Sequence, residues 1–285
     1  MKKIAILFIL SIISIGVFAQ EVSPTLYPNK SFKGKFYIFW GWNRGFFTNS
    51  DIRFKGSNYD FTLFDVVAKD RQTPFGIDPY FTLNKISIPQ TNFKMGYFFS
   101  KHYDISLGVD HMKYVMQQNQ TVKISGYISN SGTVYDGTYN NDDLYITRSF
   151  LAFEHTNGLN YINTELDRFD NIINLKKLTH LNIDINTTLG VGAGALLPRT
   201  DATLLNYKRN DEFHLAGFGL DAKAGLNITF FKYFFLQSEI KAGYINMPDI
   251  RTTEFTTDKA QQHFEFIQTN ILVGVMLPLI KQKTI

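Results

Sequence analysis

The sequence predicts an all-β chain, folded as an antiparallel up-and-down transmembrane β-barrel of about ten strands within a range of eight to twelve. Three observations carry that prediction. In Leu178–Leu197, "LTHLNIDINTTLGVGAGALL", Leu181, Ile183, Ile185, Leu189, Val191, Ala193 and Ala195 alternate with His180, Asn182, Asp184, Asn186, Gly190, Gly192 and Gly194. The composition is 15% aromatic, with 27 Phe and 15 Tyr, which suits strands and interfacial belts better than helices. Beyond the first twenty residues no uninterrupted apolar run approaches the ~18 residues that would mark a membrane helix.

The chain opens on Met1-Lys2-Lys3 and an apolar run from Ile4 to Phe18, with Val17 and Ala19 as small residues at the −3 and −1 positions of a cleavage site. This is the pattern of a signal peptide over residues 1–19, with one barrel domain expected over 20–285. There is no cysteine, so a lipid anchor on an N-terminal Cys and a disulfide framework are excluded. Two of the +4 formal charges belong to Lys2 and Lys3, leaving a nearly balanced exported chain and no case for a nucleic-acid partner.

Taken in order, "FKGKFYIFWGWN" sets Phe32, Phe36, Ile38, Trp40 and Trp42 on one side. "NFKMGYFF" alternates Phe93, Met95, Tyr97 and Phe99 with Asn92, Lys94 and Gly96. "DISLGVDH" and "LYITRSFLAFEH" read as strands, and "LNYINTELDRF" reads as a weaker one. Downstream, Phe218, Leu220, Ala222, Ala224 and Leu226 oppose Gly219, Asp221, Lys223 and Gly225, while Phe234, Leu236 and Ile240 oppose Gln237, Glu239 and Lys241. The last strand sets Ile267, Ile271, Val273 and Val275 against Gln268, Asn270 and Gly274.

A soluble sandwich would alternate too. Its strands run about 5 to 6 residues, whereas a slanted membrane crossing needs about 9 to 11, and these segments reach that length. The polar faces combine glycines with Asp184, Asp221, Lys223, Glu239 and Lys241. Glycines weaken an exposed strand, but inside a narrow closed sheet they make room for ion pairs, so the apolar faces are assigned to lipid and the polar ones to the lumen.

Turn lengths set the direction. "FSKHYD" around Lys101 and "FFKYFF" around Lys232 are tight, and are placed in the periplasm. Asn130–Asp143, Pro198–Glu212 and Asn246–Gln262 are long and polar, although Asn130–Asp143 falls on the wrong side in a ten-strand count. Asn43–Pro89 contains one or two hairpins, with Gly56-Ser57-Asn58 as a turn, projecting from the outer rim.

With these features in place, Gln20–Leu279 resembles the Gram-negative outer-membrane β-barrel proteins, most of all the broad group known only as outer-membrane barrel domain proteins. Such barrels commonly finish on an aromatic residue, whereas this chain runs on through Pro278 to Lys281–Ile285. The resemblance implies export to the outer membrane, contact with its lipid and lipopolysaccharide, and handling by the barrel-assembly machinery. It implies no cofactor.

The most enzyme-like stretch is "FEHTNGLNY", with Glu154, His155 and Thr156 as acid, base and nucleophile. It is faintly similar to the His-x-Ser-Asn element of lipid A 3-O-deacylases, but Asn157 stands where the serine should be. Thr156 alternates to the opposite face from His155, and Asn157-Gly158 is a good turn pair, so a hairpin with polar rim residues is the preferred reading. Asp110 and His111 in "GVDHMKY" could meet that cluster across the barrel. Asp211, Glu212 and His214 lie at another strand end, but the histidine spacing matches no metal motif, and "DGTYNNDD" lacks calcium-loop spacing. Arg44, Arg53, Lys55, Lys69 and Arg71 could grip lipopolysaccharide phosphates, or pair locally with Asp51, Asp60, Asp65 and Asp70.

Three functions remain open. The leading one is an envelope barrel with a largely side-chain-filled lumen and a structural or ligand-binding role at its extracellular rim and loops. The others are an outer-leaflet lipid hydrolase using a His-based site and a small pore.

Overall fold

A computed structural model describes residues 30–279, apart from residues 75, 83–84, 86–87 and 175–181. The predicted leader, Leu181 and the Lys281–Ile285 tail lie outside the described residues. Fifteen strands follow in chain order: β1 (Lys35–Phe47), β2 (Ser50–Lys55), β3 (Tyr59–Val66), β4 (Ala68–Lys69), β5 (Thr91–Tyr97), β6 (Tyr103–Met116), β7 (Thr121–Ile128), β8 (Gly137–Tyr145), β9 (Leu151–Asn174), β10 (Asp184–Leu196), β11 (Arg199–Leu204), β12 (Asn210–Phe213), β13 (Gly217–Phe230), β14 (Phe234–Arg251) and β15 (Lys259–Pro278).

Eight of them close a ring. The antiparallel order is β1-β5-β6-β9-β10-β13-β14-β15, and β15 pairs back onto β1 from Lys35↔Pro278 to Phe47↔Phe266. Closure leaves no unpaired edge in the wall, as lipid requires of a spanning sheet. Eight lies within the predicted range, and the difference from ten has an identifiable source. Asn157-Gly158 is not a hairpin turn: β9 runs through it for 24 residues, with Gly158 at φ 127° where the pairing with β6 slips between Met112 and Tyr114. Positive φ lets a glycine absorb a bulge inside a continuous strand, so the turn chemistry was real and its topological meaning was not. "LYITRSFLAFEH" errs the other way. It is divided at residues 146–150, with β8 ending at Tyr145 and β9 beginning at Leu151.

The predicted faces hold in the membrane band, except that Phe32, grouped by the sequence with Phe36 and Ile38, precedes β1 and turns inward. Ile105, Leu107, Leu166, Leu189, Val191, Phe218, Leu220, Leu226, Leu236, Ile240, Ile271 and Val273 are exposed on the outside, while Lys94, Asp110, Glu165, Lys223, Glu239 and Lys241 are buried inside. In water such an outer surface would be unfavourable; against acyl chains it is the matching one.

The inward glycines make the space that the sequence implied. A Cβ on Gly192 would stand 2.6 Å from Asp221 Oδ2 and 2.7 Å from Glu165 Cγ. Gly192→Ala is therefore expected to cost about 1–3 kcal/mol of barrel stability, read as a lower temperature for converting the folded to the unfolded band on a semi-native gel. The lipid-facing neighbour substitution Ala193→Val should leave that temperature unchanged.

The connections at the two ends differ in kind. β5–β6 and β13–β14 are joined by short turns at the same end of the barrel. At the other end the links are folded. The β2–β3 hairpin turns at residues 56–58 as the sequence predicts, pairs with β15, and continues through β7 to β8. The β11–β12 hairpin pairs with β9. β14 and β15 themselves extend to Arg251 and Lys259, so most of the segment expected as a loop at 246–262 is strand. Asn130–Asp143 belongs to the β7–β8 hairpin, which removes its apparent conflict with the membrane sidedness.

Candidate functional site

Three layers occupy the interior, stacked along the barrel. At the short-turn end lies an aromatic floor of Phe32, Tyr37, Phe39, Phe98, Phe169 and Phe235, closed by Leu272 and Met276. Phe32 meets Phe169 edge-on at 4.6 Å and Phe98 at 5.3 Å, distances at which aromatic pairs add to the burial of their area.

Above the floor the ladder brings charged residues from five strands into one knot. Glu165 on β9 is its hub, in ion-pair contact with Lys94 on β5, Lys223 on β13 and Lys241 on β14, the last at 2.7 Å. Lys223 also reaches Asp167 (2.7 Å) and Glu239 (3.5 Å), and Lys241 reaches Asp110. All are buried, so each charge must be met by a neighbour. Two tyrosines bracket the knot. Tyr37 donates to Asp104 Oδ1 (2.7 Å) beside the floor, and Tyr161 donates to Asp221 Oδ2 (2.7 Å) on the other side.

The third layer lies beyond the membrane band. There Ile52, Phe54, Tyr59, Phe61, Leu63, Ile124, Phe150, Phe153, Met247 and Phe264 form a continuous apolar core. It turns the outer connections into a folded head. Buried polar groups anchor it at several points. Asp258, between β14 and β15, accepts from Tyr59 Oη (3.1 Å), Thr253 Oγ1 (2.9 Å) and Thr257 Oγ1 (3.2 Å). Burial, with Asp258 alongside, holds the Tyr59 hydroxyl well above the ordinary tyrosine range. Asp258→Ala would strand two buried donors at about 1–3 kcal/mol. The expected result is faster protease cleavage between β14 and β15 in intact protein, with the membrane-embedded fragment still heat-modifiable.

Sequence reasoning missed the head because alternation has the same period inside and out. A shift of phase was nevertheless legible. On β6, Ile105 and Leu107 point out at odd positions, and then Met112, Tyr114 and Met116 point in at even ones. β14 changes from Phe234, Leu236 and Ile240 outside to Ile245 and Met247 inside. The same inversion on several strands marks where lipid ends, since beyond it the apolar face gains only by turning inward.

The predicted catalytic set is not assembled. His155 is fully buried in the head core, with its ring 5.0 Å from that of Phe153 and 5.6 Å from that of Tyr114, and with Nδ1 3.0 Å from Thr200 Oγ1. Burial pushes its pKa down to about 3. Glu154 and Thr156 share the opposite face, where Thr156 Oγ1 donates to Glu154 (2.8 Å) and Arg71 forms a bidentate pair with the same carboxylate (2.8 and 3.1 Å). Adjacent strand residues point to opposite faces, so the sheet parts the proposed base, His155, from the proposed acid and nucleophile, Glu154 and Thr156. Asp110 and His111 part in the same way. Asp110 enters the lumen knot, while His111 Nδ1 donates to Asn160 Oδ1 (2.8 Å) on the outward side. His214 lies 3.0 Å from Asp249, so the three rim histidines have three separate surroundings. Among the described residues no group of three His, Cys, Asp or Glu is placed to hold a metal ion.

Of the basic residues in the charged outer segment, Arg53 pairs locally and Arg71 turns to Glu154 on β9. Arg53 is bidentate on Asp60 (2.8 and 2.7 Å), and Asp70 accepts from the Gly45 amide (2.9 Å). In the stretch tested for calcium, Asp136 accepts from the Ser131 amide (3.0 Å) and Asp143 pairs with Lys123 (2.9 Å). The outward face of β9 and β11 carries an open groove of about 630 Å³ lined by Arg148, Ser149, Ala152, Glu154, Asp201, Thr203 and Arg209. Arg209 is bidentate on Asp201 there, with one bond of 2.6 Å.

No family model matches the chain, and no curated protein matches it. Among solved structures it is similar to the outer membrane protein OprG from Pseudomonas aeruginosa, at 10% identity over 87% of this chain and 98% of that one, with a TM-score of 0.40. It is also similar to Neisserial surface protein A (10%, 86% and 99%, TM-score 0.33) and to Ail, the attachment invasion locus protein of Yersinia pestis (9%, 84% and 99%, TM-score 0.28). Its own features carry the assignment: a closed ring of eight antiparallel strands, an apolar outer band, short turns at one end and folded connections at the other make the chain an outer-membrane-type β-barrel.

Proposed function

We propose that the protein is an outer-membrane barrel with a lumen filled by side chains, whose role is performed by its folded extracellular head through binding at the outer surface. The single observation behind this reading is the Glu165 knot. It ties β5, β9, β13 and β14 together across the lumen, with an aromatic floor on one side and the apolar core of the head on the other. Three stacked buried layers favour a closed interior over a pore. The β9–β11 groove, with arginines and carboxylates of both signs, suits the phosphates and hydroxyls of lipopolysaccharide, to which Arg148 and Arg209 would supply charge-assisted hydrogen bonds. The chain reaches this setting by export with cleavage after Ala19, followed by insertion by the barrel-assembly machinery.

Planar bilayers test the lumen: no steady conductance is expected, and a stable open level would overturn the closed reading. Titration of the detergent-folded protein with purified lipopolysaccharide tests the surface. Binding that is weakened about tenfold in Arg148→Ala/Arg209→Ala is expected, by loss of ~1.4 kcal/mol. Equal binding by the variant would remove the groove from the proposal.

A further inference from the structure

The buried interior of the band does not balance its charge. Apart from Asp184, which pairs with Lys30, the buried carboxylates Asp104, Asp110, Glu165, Asp167, Asp221 and Glu239 face three buried lysines among the described residues, Lys94, Lys223 and Lys241. Among the described residues, the ion pairs of those lysines reach Asp110, Glu165, Asp167 and Glu239, while Asp104 has Tyr37 as its hydrogen-bond partner and no cationic side chain within ion-pair distance. Asp104 is 1% exposed, and an uncompensated carboxylate at that depth is costly.

Its surroundings contain the means of compensation. Asp104 and Asp167 are directly opposite each other on β6 and β9. Both line a small void of about 10 Å³ between the aromatic floor and the lysine knot, and Tyr37, Thr188, Asn227 and Gln237 line it too. Both residues are more than nine-tenths buried, and Asp167 Oδ1 and Thr188 Oγ1 have no hydrogen-bond partner among the described residues. Asn227 and Gln237 are already committed: Asn227 donates to Gln237 Oε1 (2.8 Å), and Gln237 donates to Glu239 (2.9 Å). The open valences are therefore oxygens, namely a carboxylate and a hydroxyl, beside a second carboxylate with no cation of its own.

We propose that this void is a monovalent cation site, held by Asp104, Asp167 and Thr188 and suited to a sodium ion. The space is that of about one water-sized sphere. A calcium ion would require six to eight oxygens, and a magnesium ion would bring water molecules for which there is no room. Locally Lys223 answers Asp167, which leaves the single negative charge of Asp104 for the ion. Bound there, a cation would join β1, through Tyr37, to β6, β9 and β10, and answer the charge of Asp104 without opening the lumen.

The test is the thermal transition of the full-length, detergent-folded protein in sodium chloride against N-methylglucamine chloride at equal ionic strength and pH. Sodium is expected to raise the transition saturably, by roughly 5 °C at high occupancy. Asp104→Asn, and independently the near-isosteric Thr188→Val, should lose that increment. If Asp104→Asn fails to fold, Thr188→Val and an anomalous-scattering peak from thallous ion in crystals of the wild-type protein still decide the matter. A transition indifferent to the cation but falling as pH rises, in wild type and not in Asp104→Asn, would assign the missing charge to a proton and overturn the proposal. Sodium dependence that survives in both variants would overturn the location.

Discussion

Replacing Glu165 by glutamine is expected to lower the stability of the folded barrel by about 3–5 kcal/mol, the cost of leaving a buried ion without its counter-charge. Lys223 keeps Asp167 and Glu239, and Lys241 keeps Asp110, but Lys94 has Glu165 as its only ion-pair partner among the described residues. Its ammonium also lies 5.7 Å from the centre of the Phe39 ring, a contact that offsets a small part of the loss. The damage should therefore be specific to Lys94. Glu165→Gln/Lys94→Met removes the stranded charge together with its partner and should recover most of the stability, giving a coupling energy of about 0.5–3 kcal/mol or more in a double-mutant cycle. The folded fraction of detergent-solubilised protein against urea measures it. Additive losses in the double variant would show that the stranding of Lys94 is not the source of the loss.

Acid should destabilise the head, and His155 is the reason. Its pKa is about 6.5 in the unfolded chain and is pushed down to about 3 by burial in the folded one. Between those values the unfolded state binds a proton that the native state refuses. Stability is thus fully present above about pH 6.5, and falls on acidification at up to ~1.4 kcal/mol per pH unit until pH approaches 3. The side chain belongs to the head and not to the membrane band: above Ile162 the outward face of β9 becomes polar, through Asn160, Thr156 and Glu154. His155→Gln cannot take up the proton, and it retains a group able to meet Thr200. Its stability should be lower at pH 8 by a packing penalty and less steep between pH 6.5 and 4, so the two curves converge as the pH falls. Parallel curves would assign the acid sensitivity to other groups.

Much of this was written in the order of the residues. The alternation of Phe218–Leu226 against Gly219–Gly225, and of Phe234–Ile240 against Gln237–Lys241, named the lipid face and three of the ion-pairing residues of the lumen, Lys223, Glu239 and Lys241, because a sheet one residue thick separates lipid from interior at every step. The glycine argument also held, with Gly192 seated against Glu165 and Asp221. The Gly56-Ser57-Asn58 turn appeared where its residues required it. Other features depended on facts that no local window contains. Asn157-Gly158 has the chemistry of a turn, and only its pairing with β6 made it a bulge. His155, Glu154 and Thr156 are neighbours in sequence, and the pleat separated them. Glu165 and Asp167 sit in "LNYINTELDRF", the weakest strand by pattern, yet this stretch carries the hub of the lumen.

The sequence alone therefore determined the class of solvent on each side of the wall, since hydrophobicity and period are properties of residues taken two at a time. Tertiary structure decided the number of strands, the partners of each buried charge and the existence of the head. Those depend on which positions the hydrogen-bond ladder sets side by side over long separations, such as the 131 residues between Asp110 and Lys241, and burial makes each such meeting a matter of several kcal/mol.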